Sequence, residues 1–288
     1  MMGDAGPARR ICWLASYPKS GNTWTRILLG NLLREQDDAR LVALGGAISS
    51  NRTMFDNLTG LSSADLTDDE IDLLRPDGYR MLAAEARDRL FIKVHDGWHA
   101  NMRGDPLFPG DVSIGAIYLV RDPLDVAISY AYHQGHQDFA RVVEQMNNPA
   151  HVMAGGKGRQ LRQRTLGWSG HYRSWHAQQD IPVLTVRYED MIADTARELG
   201  RMAEFLTIDA DAAVIAAAVE ASRFDRLRAA EERDGFSERP EKAARFFRSG
   251  RAGEGAERLD APLQQRLRDC HGDLMLELGY GNSRADGG

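Results

Sequence analysis

The sequence predicts a three-layer α/β sandwich, a central parallel sheet flanked by helices, and three observations carry that expectation. Short apolar runs without polar alternation, such as Ile11–Ala15 and Ser113–Val120, have the length and composition of strands covered on both faces. Each of these two runs leads through polar turn residues into an amphipathic helical stretch, the order that lays helices against a parallel sheet. The 288 residues, 43% hydrophobic and 27% charged, suffice for one large domain with a sizeable core. The expected core of that single domain runs from Ile11 to about Gly279, with frayed termini and a Gly-rich tail.

Charge and cysteine usage narrow the function classes. A formal net charge of −6 argues against a nonspecific nucleic-acid binder, while leaving room for a local basic pocket. Two cysteines, Cys12 and Cys270, cannot build a disulfide framework, and Cys12 in the first strand reads as a small hydrophobe. No Cys/His cluster has metal-ligand spacing, so no metal is expected. No apolar run reaches transmembrane length, and the run after the first ten residues is too short for a signal-peptide core. A cytoplasmic protein without a membrane span is the expectation. No internal repeat is visible.

Element by element, Ile11–Ala15 is the first strand and Ser16–Gly21 the turn that breaks it, with Pro18, Lys19, Ser20 and Gly21 in succession. Thr23 or Asn22 is suited to cap the following helix, on which Trp24, Ile27, Leu28 and Leu32 share a face. Backbone N–H groups, a lysine and several hydroxyls at a helix N-terminus make an anion site. It is not a Walker A loop, because Lys19 precedes Gly21 rather than following the second glycine. The acidic segment Asp37–Arg87 reads as a short helix over Ser63–Leu74 and another over Tyr79–Arg87. It is either the wall of a cleft or solvated surface.

Arg89–Val94 is the next strand, running into His95. Lys93 and His95 lie two apart, so both point to one side of an extended chain, at a strand end suited to general-base work. His99 is the competing base. After the strand Ser113–Val120, Asp122 is placed as N-cap and Pro123 as N1 of a helix with Leu124, Ala127, Ile128 and Ala131 on one face. Arg121 at the strand end and Ser129 two turns into the helix can both reach one anion. His133–Gly167 reads as loop-rich and basic, either a mobile flap or a solvated connection. Trp168, His171, Tyr172 and Trp175 at helical spacing read as core. Pro182–Arg187 is a further strand, followed by Tyr188, which by itself reads as an inward core residue. Thr195 and Glu198 form a capping-box pattern, Asp209–Glu220 a second helix, and Leu263–Leu278 the closing helix near Gly279.

The string YPKSGNTW directly after a strand resembles the 5′-phosphosulfate loop of cytosolic-type sulfotransferases, which use 3′-phosphoadenosine 5′-phosphosulfate (PAPS). Lys93-Val94-His95 resembles that family's Lys-Thr-His or Lys-Ser-His segment, with a valine in place of the hydroxyl. Arg121 and Ser129 resemble its 3′-phosphate motif, Tyr188-Glu189-Asp190 its adenine tyrosine, and Ser222 and Phe224 its adenine hydroxyl and ring. FFRSGRAGEG resembles its C-terminal Arg-Lys-Gly loop, with Ser249 replacing the lysine and Arg251 nearby. The family's following Asp-Trp-Lys is absent, which puts closure of the cofactor by that turn in doubt. These segments occur in the family's order, and the resemblance is to its bacterial-like small-molecule members.

The resemblance implies a P-loop-like fold and sulfuryl transfer from PAPS to a hydroxyl or amine of a small-molecule acceptor, giving adenosine 3′,5′-bisphosphate. It implies His95 as general base, Lys19 at the leaving oxygen and Lys93 at the sulfuryl oxygens. Ser20, Gly21, Asn22 and Thr23 would cradle the 5′-phosphate and Trp24 would stack on adenine. Arg121, Ser129, Tyr188, Ser222, Phe224, Arg248, Ser249 and Gly250 would hold the rest of the nucleotide. A P-loop-like small-molecule kinase is the alternative, though the Walker lysine and Mg²⁺ ligands it needs are missing. A non-catalytic binder of the bisphosphate is the other. The acceptor and the oligomeric state, a homodimer included, stay open at this level.

Overall fold

The computed structural model describes residues 9–33, 47–236, 238–239 and 245–281. The fraying expected of the extreme termini lies outside them. In chain order the elements are β1 (Ile11–Ser16), α1 (Asn22–Leu32), α2 (Arg52–Thr59), α3 (Asp68–Glu85), β2 (Leu90–Val94), β3 (Ser113–Val120) and α4 (Pro123–His133). They continue with α5 (Phe139–Asn147), β4 (Val152–Met153), β5 (Gln163–Arg164), α6 (Gly167–Ala177), β6 (Val183–Arg187), α7 (Tyr188–Ala193) and α8 (Thr195–Phe205). The last are α9 (Ala212–Ala221), α10 (Phe224–Asp234), α11 (Glu254–Arg258) and α12 (Ala261–Glu277).

Four strands form one parallel sheet in the order β2-β1-β3-β6. Successive residues of β1 and β3 enter opposite cores, as a strand's period of two requires. Trp13, Ala15, Tyr118 and Val120 pack with α4, α6 and α12, whereas Cys12, Leu14, Ile117 and Leu119 pack with α1, α8 and α9. Both faces are therefore covered, which is why these runs are apolar throughout. Burial pushes the Cys12 thiol up to about 12, the behaviour of an inert core group. The chain reverses direction across the sheet between β2 and β3, so the carboxyl ends of β1, β2 and β3 open onto one crevice.

Several expected boundaries hold, and the departures have local causes. Asp122 caps α4 through Leu124 N–H at 2.8 Å with Pro123 in the first turn. The two short helices expected between residues 63 and 87 are instead one helix, α3, which continues through Pro76. Pro76 removes one rung, but a Thr67/Glu70 capping box starts the helix and Arg75 anchors its middle to Asp96 at 2.8 Å. The acidic residues there are not simply solvated: Asp69 and Asp72 each meet Arg162 at 2.5 Å. The segment read as loop-rich contains α5, capped by Asp138, with Val142, Val143 and Met146 buried. Asp194, not Thr195, caps α8, and Glu198 is buried against Arg197 and Arg201. The helix α10 after Ser222 was not foreseen. Among the described residues no helix is long and apolar enough to cross a membrane.

Candidate active site

The crevice holds a cavity of about 460 Å³. Its floor is the turn between β1 and α1. Lys19 (φ 72°) and Gly21 (φ 102°) both take left-handed backbone there. Gly21 is required twice over, because a Cβ would also stand 2.7 Å from the Tyr188 ring. Gly21 is itself the N-cap, and no side chain caps α1. The expectation that Thr23 or Asn22 caps this helix is thus corrected. Asn22 turns back to donate to Leu14 O at 2.7 Å and Ser16 Oγ at 3.2 Å, tying the helix to the strand. The N–H groups of the first turn are left without a side-chain acceptor, the condition for anion binding.

Two lysines and two histidines meet above this floor. His95 Nδ1 lies 2.8 Å from Ser16 O, so Nδ1 carries the proton and Nε2 is the acceptor. Burial, then Lys93, holds the imidazole well below its ordinary pKa, leaving it neutral. Its own carbonyl accepts from His171 Nε2 at 3.2 Å, and His171 Nδ1 accepts from the Tyr118 hydroxyl at 2.7 Å. Lys19 Nζ stands 3.4 Å from His133 Nδ1 and over the Phe246 ring at 4.7 Å. Lys93 Nζ donates to Glu238 at 3.1 Å, and that carboxylate also takes Arg26 at 2.5 Å and the Thr23 hydroxyl at 3.3 Å. His99, the competing base, does not line the cavity; its Nδ1 faces Gly97 O at 2.9 Å.

The other end is aromatic and basic. The Arg121 guanidinium lies over the Tyr188 ring at 4.4 Å and bonds Arg251 O at 2.9 Å and Asp125 at 3.3 Å. Its buried Nε has no partner. Trp24, edge-on to Tyr188, sits across from Phe224, whose ring packs on Gly250 (φ 64°) so closely that a Cβ there would fall 2.7 Å away. Asp125 accepts from Gly253 N–H at 2.9 Å and Gly255 N–H at 2.7 Å, and this seats the C-terminal turn on α4 without the absent Asp-Trp-Lys.

The sequence pattern of the family described as "Sulfotransferase domain" matches residues 9–279. The chain belongs to that family. This sulfotransferase is 23% identical to "Sulfotransferase 1E1" of Mus musculus over 92% of its own length and 86% of the relative's. It is 26% identical to "Flavonol 3-sulfotransferase" of Flaveria bidentis over 88% and 81%. Its fold matches retinol dehydratase solved in a complex with retinol and PAP, with a TM-score of 0.64 at 21% identity over 93% and 82% of the two chains. It also matches mouse SULT7A1 complexed with PAP, with a TM-score of 0.61 at 19% identity over 96% and 88%.

Of the residues singled out from the sulfotransferase sequence, Lys19, Gly21, Asn22, Thr23, Trp24, Lys93, His95, Arg121, Ser129, Tyr188, Phe224, Arg248, Ser249 and Gly250 all line the one cavity. Ser20 and Ser222 do not. Ser20 is fully buried beneath the loop with its hydroxyl unpartnered. Ser222 closes α9, where its hydroxyl donates to Ala218 O at 2.7 Å and takes Asn31 at 2.9 Å; only its carbonyl serves the site, holding the Trp24 indole at 3.0 Å. Arg248 faces the cavity but is gripped by both oxygens of Glu254, and Ser249 donates to the same carboxylate at 3.1 Å. Arg251 does not replace the missing lysine, since its side chain is exposed and pairs with Glu257 at 3.4 Å. His133 and Glu238 were missed. His133 follows Ser129 by four residues, so helical spacing alone puts both on one face; Glu238 has no comparable signal. Among the described residues no group of three or more His, Cys, Asp or Glu is placed to hold a metal.

Proposed function

We propose that this sulfotransferase moves a sulfuryl group from PAPS to the hydroxyl or amine of a small-molecule acceptor, with His95 as general base. The observation that carries the reading is the neutral His95, its Nε2 free to accept, in one cavity with two lysines and an uncapped helix start. The donor supplies an activated sulfuryl group on a good leaving phosphate. His95 Nε2 takes the acceptor's proton as the acceptor oxygen or nitrogen bonds to sulfur. Lys19 and the first N–H groups of α1 meet the electron pair left on the bridging oxygen as the S–O bond breaks. Lys93 steadies the sulfuryl oxygens. Charge in such a loose transition state spreads to the oxygens, so positioning and fixed positive charge supply most of the acceleration.

The nucleotide fits the remaining wall by chemistry. Arg121, with its unpartnered Nε, and Ser129 suit a 3′-phosphate. The loop residues Ser20 to Thr23 suit the 5′-phosphate through their N–H groups and the Thr23 hydroxyl. Trp24, Tyr188 and Phe224 suit the adenine, with the Gly250 backbone behind it. Arg248 and Ser249 border the 3′-phosphate side.

A thermal-shift titration tests the donor class. Adenosine 3′,5′-bisphosphate at 100 times its Kd is expected to stabilise the fold by about 2.7 kcal/mol, with or without Mg²⁺. Stabilisation by ATP–Mg²⁺ alone would point to a kinase instead.

Lys19 adds a pH signature. Burial, then Lys93 and Arg121, lower its ammonium from 10.5 to about 7, Glu238 opposing and Arg248 adding to the drop. A phosphate held against Lys19 favours the ammonium, so its pKa rises on binding. Above pH 7 the complex must therefore take up a proton, and affinity for the bisphosphate is expected to fall by at most about tenfold per pH unit. Calorimetry at pH 8 in two buffers of unequal ionisation enthalpy reads that uptake; none would mean that Lys19 does not meet the anion.

A further inference from the structure

One part of the cavity wall is made of neutral hydrogen-bonding side chains. Ile48 bridges Lys93 in parallel, and Ser49 N–H donates to Lys93 O at 3.0 Å, so the chain from residue 47 runs along the free edge of β2. A turn follows, closed by Asn51 N–H donating to Ile48 O at 2.9 Å, and it carries Ser50 into the cavity wall. From the other side, Arg164 N–H donates to Asp96 Oδ1 at 3.0 Å and Arg164 O accepts from Gly97 N–H at 2.8 Å. That brings Gln163, the preceding residue, against the same stretch. The two walls are joined: Asn51 bridges Gln160, and Leu161 N–H donates to Ser50 O at 2.8 Å.

Ser50, Gln160 and Gln163 all line the cavity. Ser50 is 0% exposed and its hydroxyl has no partner. Gln163 is 2% exposed, and its Nε2 reaches Gln160 Oε1 only at 3.4 Å, the long limit of a hydrogen bond. A buried hydroxyl without a partner, beside two loosely joined carboxamides, is an arrangement that a ligand's own hydroxyls complete. Ile48 and Met153 flank this shelf and offer apolar contact to a carbon framework. The three shelf side chains carry no charge, and Lys93 in the same cavity is engaged with Glu238.

Resting on the sulfuryl-transfer reading above, we propose that the acceptor is a neutral polyhydroxylated molecule of the sugar or cyclitol class. Ser50, Gln160 and Gln163 hold its unreacting hydroxyls while one hydroxyl is presented to His95. The sulfated oxygen loses its proton to His95 Nε2, gains the sulfur and leaves as a sulfate monoester, and the bisphosphate departs with the electron pair of the broken S–O bond. A site built to bond several hydroxyls discriminates strongly against analogues that lack them.

The test is turnover with PAPS of methyl glycosides and inositol against cyclohexanol, 4-nitrophenol and a steroid alcohol, with the bisphosphate thermal shift run alongside. The expected result is a kcat/KM at least about a hundredfold higher for the best polyol than for cyclohexanol. Ser50→Ala and Gln163→Leu, two variants in case one fails to fold, each lower the polyol-to-cyclohexanol ratio at least about tenfold. Preference for the phenol or steroid, absence of polyol turnover, or an unchanged ratio in both variants overturns the proposal while bisphosphate binding keeps the donor reading. Loss of bisphosphate binding in the unaltered protein overturns both.

Discussion

Replacing His95 by alanine is expected to lower kcat by about 10²–10⁴-fold, the span of a positioned general base, and to leave the Kd for adenosine 3′,5′-bisphosphate almost unchanged. The split follows from where the imidazole sits. Its Nδ1 is spent on Ser16 O and it lines the cavity beside Lys93, whereas the nucleotide is proposed to lie against Arg121. The imidazole is kept neutral by burial and by Lys93, so its protonation does not limit the unaltered enzyme near neutral pH. Stopped-assay turnover and calorimetric binding on the same preparation make the comparison. Equal losses in both would move His95 from chemistry to nucleotide binding, and no loss of turnover would remove it as the base.

Arg121→Ala carries the second large effect, on affinity. Removing one partner of a buried, hydrogen-bonded charge pair costs about 2–4 kcal/mol, so the bisphosphate should bind roughly 30–1000-fold more weakly. Adenosine 5′-monophosphate, which lacks the 3′-phosphate, should lose far less. Arg121→Lys should recover only part, because an ammonium keeps the charge and loses both the planar fork and the face-on contact with Tyr188. The fold should survive the change, since Asp125 retains its bonds from Gly253 and Gly255. If the two nucleotides weaken equally, Arg121 is not at the 3′-phosphate.

How far the site was legible depended on how its residues are delivered. Lys19, His95, Arg121 and Tyr188 stand at or just beyond the ends of four strands, and a buried strand announces itself as an unbroken apolar run. The loop after β1 was equally plain, because its glycine and lysine follow such a run directly. Side chains that reach the cavity from irregular segments were not. Ser50 and Gln163 owe their places to backbone bridges with Lys93 and Asp96, which no local pattern encodes. Glu238 arrives through contacts to Arg26 and Lys93 far away in sequence. The α3 boundaries were misread because proline normally ends a helix, whereas here a capping box and the Arg75–Asp96 pair outweigh the lost rung. Ser222 does not line the cavity because its hydroxyl is consumed by its own helix, donating to Ala218 O.

The Asp125 carboxylate, which seats the turn at Gly253 and Gly255, has a consequence for how the protein is made. Its two bonds join residues 128 and 130 positions apart. At roughly 5–20 residues per second of synthesis, the lysine loop leaves the ribosome on the order of 10–50 s before the wall that faces it. During that interval the nascent chain carries the lysine loop without the Gly250 turn that packs on Phe224. A chain stopped before Phe246 would carry the strand ends with Trp24, Tyr188 and Phe224 but without the Phe246–Gly250 part of the cavity wall.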